Sequence, residues 1–133
     1  MSERGDVPAT VLAALRSITR GLPESYEEEA WVGTRWRIRA RTFAHVLTIE
    51  DGWPPAYARA SGSAGAACVL TFESAGPELE ALTWSGQPFF KPPWRPTVVG
   101  MFVGDDVDWD EVAELVTESY RLLAPKHLGA AQP

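Results

Sequence analysis

Arginine occupies every second position from Arg35 to Arg41, with Trp36 and Ile38 set between the first three. A β-strand sends alternate side chains to opposite faces. The run Trp31-Val-Gly-Thr-Arg-Trp-Arg-Ile-Arg-Ala-Arg-Thr-Phe43 therefore predicts a strand with Trp36 and Ile38 in a core and the arginines on the other side. The whole chain carries a formal net charge of −6. A basic stripe on an acidic protein needs a partner, either inside the molecule or outside it.

Charge is spread unevenly around that stripe. Four glutamates lie at Glu24, Glu27, Glu28 and Glu29, and seven acids lie between Asp105 and Glu118. Between residues 35 and 95, seven basic residues face five acids. The acidic total argues against a generic nucleic-acid coat protein, while the basic middle is compatible with a local anion site. The 133 residues suffice for one domain with a hydrophobic core, expected as a single domain over 1–133 with its core at about 6–124 and a tail at 125–133. No run approaches the roughly 18 apolar residues of a membrane helix. The polar start Met-Ser-Glu-Arg-Gly-Asp lacks a signal-peptide core, and the single Cys68 excludes an internal disulfide. Both features lead to the expectation of a cytoplasmic protein that makes no use of a membrane.

The arginine strand predicts a hairpin over 34–39 and 42–49. A two-residue turn at Ala40-Arg41 sets Ile38 opposite Phe43, Trp36 opposite His45 and Thr34 opposite Leu47. That register gathers Trp36, Ile38, Phe43, His45, Leu47 and Ile49 on one face, with Arg35, Arg37 and Arg39 beside Val46, Ala44 and Thr42 on the other. Ala-Arg is a poor pair for a turn whose two residues want positive φ.

Elsewhere the patterns are plainer. Val7, Val11, Ala14, Leu15 and Ile18 predict a helix over 6–20, with Asp6 as cap and Gly21-Leu-Pro23 as stop. Glu24–Glu29 reads as a polar connection or a short turn of helix, and 51–65 as a Gly/Pro-rich loop with a few residues of strand or turn near 56–60. Strands are predicted at 66–73 and 97–103, and a short helix at Gly76–Trp84 behind Pro77 with Leu79 and Leu82 inward. The last helix, 109–124, has Asp108 and Glu111 at capping-box spacing and a stripe of Trp109, Val112, Val116, Tyr120 and Leu123. Pro125 ends it, and 129–133 reads as a frayed end. The fold class expected is α+β, an antiparallel sheet with the N- and C-terminal helices packed on one face.

The arginine stripe admits two readings. Guanidinium forks suit phosphate or carboxylate binding. Alternatively the stripe is a solvated face whose heads meet Glu24–Glu29 or the C-terminal acids. Phe89-Phe90-Lys91-Pro92-Pro93-Trp94-Arg95 could line a pocket or form a rigid crossing beside the sheet. If Lys91 and Arg95 approach Arg35–Arg39, the two signals merge. Asp106–Asp110 resembles the start of a calcium loop but has Glu111 and Thr117 where that pattern needs Gly and Glu, so it reads as a helix cap. Cys68, in an apolar strand, reads as an inert thiol. No cofactor, metal set or catalytic constellation is visible, and the expectation is a protein that is not an enzyme.

Gly21-Leu-Pro-Glu-Ser, Trp31-Val-Gly and Trp36-Arg-Ile-Arg-Ala-Arg-Thr-Phe-Ala44 together resemble the opening of the MmcQ/YjbR-like proteins. The short helix Pro77–Trp84, the Pro-rich segment, the strand 97–103 and the ending Asp110-Glu…Ser119-Tyr-Arg-Leu122 continue the likeness over most of residues 10–124. This chain has Ala40 where that family usually has glycine. The resemblance implies an α/β domain related to the CyaY (frataxin-like) superfamily, a double-wing motif, with a family label of DNA binding and no established catalytic set.

Two functions are therefore expected. The first is DNA binding with low sequence preference, in which Arg35, Arg37, Arg39 and Arg41, helped by Lys91 and Arg95, contact phosphates. The second is a small-ligand or protein-binding module using the aromatic and Pro-rich segment 86–96, with a pocket drawn from Trp53, Phe89, Phe90 and Trp94. The surface acids could hold a hard cation only weakly.

Overall fold

A computed structural model describes residues 6–63 and 65–129 of the chain. The elements run α1 (Ala9–Thr19), β1 (Tyr26–Glu29), β2 (Thr34–Ile38), β3 (Arg41–Ile49), α2 (Pro55–Ser61), β4 (Ala67–Glu73), α3 (Gly76–Trp84), β5 (Phe89–Phe90), β6 (Val98–Phe102), α4 (Trp109–Leu123) and α5 (Lys126–Gly129). The six strands form one sheet in the order β1-β2-β3-β4-β6-β5, every pair antiparallel. Of the end expected to fray, 130–133 lie outside the described residues. No described helix is long and apolar enough to cross a membrane.

One face of the sheet carries the main core. Trp36, Ile38, Phe43, Ala44, Val46, Leu70, Phe72, Val99 and Met101 pack there against Leu15 of α1 and Val112, Leu115, Val116 and Tyr120 of α4. The α4 stripe forms as its spacing predicts, and Asp108 Oδ1 accepts from the Asp110 and Glu111 amides at 2.9 and 3.3 Å. The terminal helices thus share one face, as expected. Helix α1 begins only at Ala9, and Pro8, not Asp6, takes the N-cap position, with no side-chain cap of its own.

The other face is covered only in part. Val32, Leu47, Ile49, Val69 and Phe90 form a second apolar cluster, roofed by Trp53, Tyr57, Ala58 and Ala60. Most of that roof is α2, where a loop was expected. Pro55 in its first turn and Gly62 in the left-handed conformation at its C-cap (φ 73°) explain why a Gly/Pro-rich segment folds into a short helix. Phe90 lies flat across Gly100, where an added Cβ would meet the ring at 2.3 Å.

The first hairpin corrects the predicted register. Its turn is Arg39-Ala40, both at positive φ (50° and 64°), so that Ile38 faces Arg41. The pairing then slips: Arg37 faces Thr42, but Trp36 faces Ala44 and Arg35 faces His45. The residue passed over is Phe43, the extra residue of a β-bulge. A one-residue slip exchanges the faces of everything beyond it. Phe43 therefore stays in the main core with Trp36 and Ile38, while His45, Leu47 and Ile49 turn to the opposite face. His45 does not lie against Trp36. The stretch 26–29, expected to be a connection, is the edge strand β1, held to α1 by Arg16, whose Nε and Nη2 donate to Glu27 at 2.9 and 2.8 Å.

Candidate ligand cleft

The hairpin slip brings a polar row across the middle of the sheet. Glu28 on β1 pairs with Arg35, Arg35 with His45, His45 with Thr71, and Thr71 with Gly100. All of these lie on the face that α2 leaves partly open. A cleft of about 300 Å³ stands over the row, lined by Trp31, Arg35, Thr42, His45, Tyr57, Thr71, Pro92, Trp94 and Arg95, among others. Its lining comes from six separate stretches of chain: the turn before β2, the hairpin, α2, β4, the Pro-rich segment and the start of β6.

The walls are largely aromatic. Tyr57 stands edge-on to both His45 and Trp94, with ring centroids 6.0 and 5.1 Å away. Trp31 rests on Trp53 at 5.4 Å but is otherwise 80% exposed.

His45 has a fixed tautomer. Its Nε2 lies 2.6 Å from the Val32 carbonyl, which can only accept, so Nε2 carries the proton. Nδ1 is left as an acceptor for the Tyr57 hydroxyl, a long contact at 3.4 Å. Burial holds the imidazole below its ordinary pKa against the Val32 hydrogen bond, which raises it, and the nearby Arg35 charge adds a smaller lowering, so the ring is neutral at pH 7. Burial also pushes the Tyr57 phenol up, against a smaller opposing pull from Arg95. The hydroxyl thus remains a protonated donor inside the cleft.

The structure pairs most of the arginine stripe internally, as the solvated-face reading held. Arg35 Nε donates to Glu28 Oε1 at 2.5 Å, and its Nη2 also pairs with that oxygen. Arg37 Nη1 reaches the same oxygen at 3.1 Å, and its Nη2 donates to the Ala40 carbonyl. Arg39 meets Glu24 at 2.8 Å, both half exposed. The Arg35 guanidinium holds the Glu28 carboxyl below the usual range, with Arg37 assisting against a smaller opposing effect of desolvation. Of the four, Arg41 alone forms no ion pair among the described residues. Three of the four heads are therefore compensated within the chain, by Glu28 and Glu24.

Arg95 lines the same cleft as Arg35, but Lys91, which the merged reading also needs, does not. Arg95 Nη2 donates to Glu73 Oε1 at 2.8 Å, and Thr97 donates to the other oxygen at 2.6 Å. Glu73 is nearly buried while Arg95 is half exposed. The carboxylate therefore anchors one nitrogen of a guanidinium that is otherwise half exposed. Lys91 Nζ instead donates to the Pro92 and Arg95 carbonyls, bracing the segment that carries Trp94. Of the expected pocket residues, only Trp94 lines the cleft. Trp53 backs Trp31, Phe90 is buried on Gly100, and Phe89 packs against the main core.

Trp31, His45 and Tyr57 were not among the expected site residues. His45 could have been found as the one polar member of the row His45, Leu47, Ile49. Tyr57 follows Pro54-Pro55, a helix-start signal, and so belonged on a helix rather than in a loop. Cys68 lies on the main-core side of β4, away from His45, and burial pushes its thiol up to about 11, as an unreactive thiol requires. No group of three or more His, Cys, Asp or Glu able to hold a metal occurs among the described residues. A roomier hollow of about 570 Å³ between α3 and α4 is lined by Glu78, Glu114, Glu118 and Arg121, with no aromatic wall.

No curated protein matches the chain. The YjbR family model matches residues 20–122, which runs from before β1 to the last turn of α4 and includes every residue of the cleft. The chain belongs to the YjbR family.

Proposed function

We propose that this protein is a non-enzymatic binding module for a small planar anion held in the cleft between the arginine hairpin and the Trp94 segment. The carrying observation is the convergence of Arg35 and Arg95, sixty residues apart in sequence, on one cavity whose walls are Trp31, Tyr57, His45 and Trp94. Each guanidinium is oriented by a carboxylate and keeps donors to spare. A planar ring between Trp31 and Trp94 gains stacking contacts, and the Tyr57 hydroxyl and neutral His45 set its polar edge. Small size follows from a cavity of about 300 Å³.

DNA binding remains the second reading, favoured by the exposed Arg41 next to the hairpin turn, which forms no ion pair among the described residues. It asks for phosphate contacts from arginine heads that Glu24 and Glu28 already hold. The two readings separate in one comparison. Benzoate and indole-3-acetate, added to the intact protein, should change tryptophan fluorescence saturably, and should do so less in Trp31→Ala. A labelled duplex should bind weakly if at all. Tight duplex binding with a log–log salt slope of roughly −3 to −4, lost on changing Arg35, Arg37 and Arg39 to alanine, would replace the cleft reading with the DNA reading.

A further inference from the structure

A second cavity, of about 290 Å³, adjoins the cleft and shares Thr42 and Arg95 as walls. Its remaining lining is Arg37, Ala40, Arg41, Glu73 and Leu123. Three guanidinium groups therefore meet around one notch. Carboxylates engage two of them, each through one nitrogen. Glu73 engages one nitrogen of Arg95. Glu28 is shared between Arg37 Nη1 and Arg35, and Arg37 Nη2 donates to the Ala40 carbonyl. Arg41 has no carboxylate partner among the described residues, and the Arg37 Nε is buried with no acceptor at all. A buried N–H of a charged group left without an acceptor is costly. Arg37 lines the notch, so an oxyanion there lies against the same guanidinium.

Resting on the cleft reading above, we propose that the ligand is the phosphate monoester of a planar ring system. The ring occupies the aromatic cleft and the phosphate occupies the adjoining notch, on Arg37, Arg41 and Arg95. A carboxylate offers two oxygens and one charge. A phosphate monoester offers three oxygens and close to two charges, which matches three converging forks better. Because Thr42 and Arg95 wall both cavities, ring and phosphate are separated by no more than a short linker. The size class runs from an aryl phosphate to a nucleoside monophosphate.

The test is calorimetric titration of the intact protein with adenosine 5′-monophosphate, adenosine, inorganic phosphate and benzoate, repeated on Arg41→Ala and Arg41→Lys. Arg41 lies at the hairpin end and is exposed, so both variants should fold, as circular dichroism will verify. The expected result is that the monophosphate binds at least about tenfold tighter than adenosine or inorganic phosphate. Arg41→Ala should remove most of that advantage without changing adenosine or benzoate binding, and Arg41→Lys should restore part of it. Adenosine or benzoate binding as tightly as the monophosphate, with no effect of Arg41→Ala, would overturn the phosphate assignment while leaving the cleft reading intact. Absence of binding by all four probes would overturn both. A 5′-phosphorylated trinucleotide binding more tightly than the mononucleotide, through Arg41, would uphold the phosphate seat but assign it to a nucleic-acid end and overturn the small-ligand reading.

Discussion

The Ser119 hydroxyl, fully buried on α4, donates to the Phe43 carbonyl at 2.6 Å, at the bulge of β3. The same oxygen accepts from the Glu73 amide at 2.8 Å. Strands β3 and β4 pair as far as Ala44 and Phe72, and the bulge ends the ladder there. One helical side chain thus satisfies the two backbone groups that the bulge leaves behind. The bulge in turn is what sends His45 to the cleft face. Next to it, the Tyr120 hydroxyl donates to the Pro23 carbonyl at 2.6 Å. The Leu-Pro turn, the Phe-Ala step and the Ser-Tyr pair, distant in sequence, are therefore joined by hydrogen bonds in the fold.

Ser119→Ala leaves a buried N–H and a buried carbonyl without partners and should destabilise the protein by about 3 kcal/mol. Denaturant unfolding of the variant measures this directly. A loss below about 1 kcal/mol would mean that the two groups find other partners.

Ala40→Gly should stabilise the protein. Both turn residues sit at positive φ, where a Cβ is unfavourable. Removing that strain outweighs the added freedom of the unfolded chain, with a net gain of about 0.5–1 kcal/mol. The same denaturant experiment checks it, and a destabilised variant would contradict the turn assignment.

That turn and the bulge mark where the sequence stopped being legible. The faces of Trp36 and Ile38, the α4 stripe, the Gly76–Trp84 helix and the shared face of the terminal helices follow from local periodicity. The site depends on two things that periodicity does not carry. Arg39-Ala40 adopts a conformation that neither residue advertises, and Phe43 inserts one residue into an otherwise regular alternation. The pairing of Arg35 and Arg37 with Glu28 was equally hidden, because Glu24–Glu29 has no strand pattern and forms β1 only as the partner of β2. Only contacts distant in sequence bring Trp31, Tyr57 and Trp94 together.

Stability should fall as the solution is acidified through the histidine range. His45 is held below its ordinary value of 6.5 by burial. Below that value the unfolded chain takes up a proton that the folded chain resists. Stability is therefore level above about pH 6.5 and declines as pH drops below it. Glu27 and Glu28, whose pKa values are lowered from 4.5 by their arginine partners, act only in a more acidic range. Unfolding free energies of the wild type and His45→Gln between about pH 5 and 8 should show the decline in the first and its loss in the second. Parallel curves would place the effect elsewhere.

Trp31→Ala should leave stability within about 0.5 kcal/mol of wild type, since the ring is mostly in water. It should nevertheless weaken binding of small aromatic anions by roughly five- to tenfold, the stacking contribution of one ring. Equal losses of stability and binding would make Trp31 a structural residue instead.

The most direct measurement follows the Trp31 indole and His45 ring resonances by NMR during parallel titrations with phenyl phosphate and with a short DNA duplex at physiological salt. The expected result is that phenyl phosphate moves both signals saturably and the duplex moves neither. Duplex-induced shifts along residues 35–41, with both cleft signals indifferent to phenyl phosphate, would contradict the assignment of the cleft as the binding site.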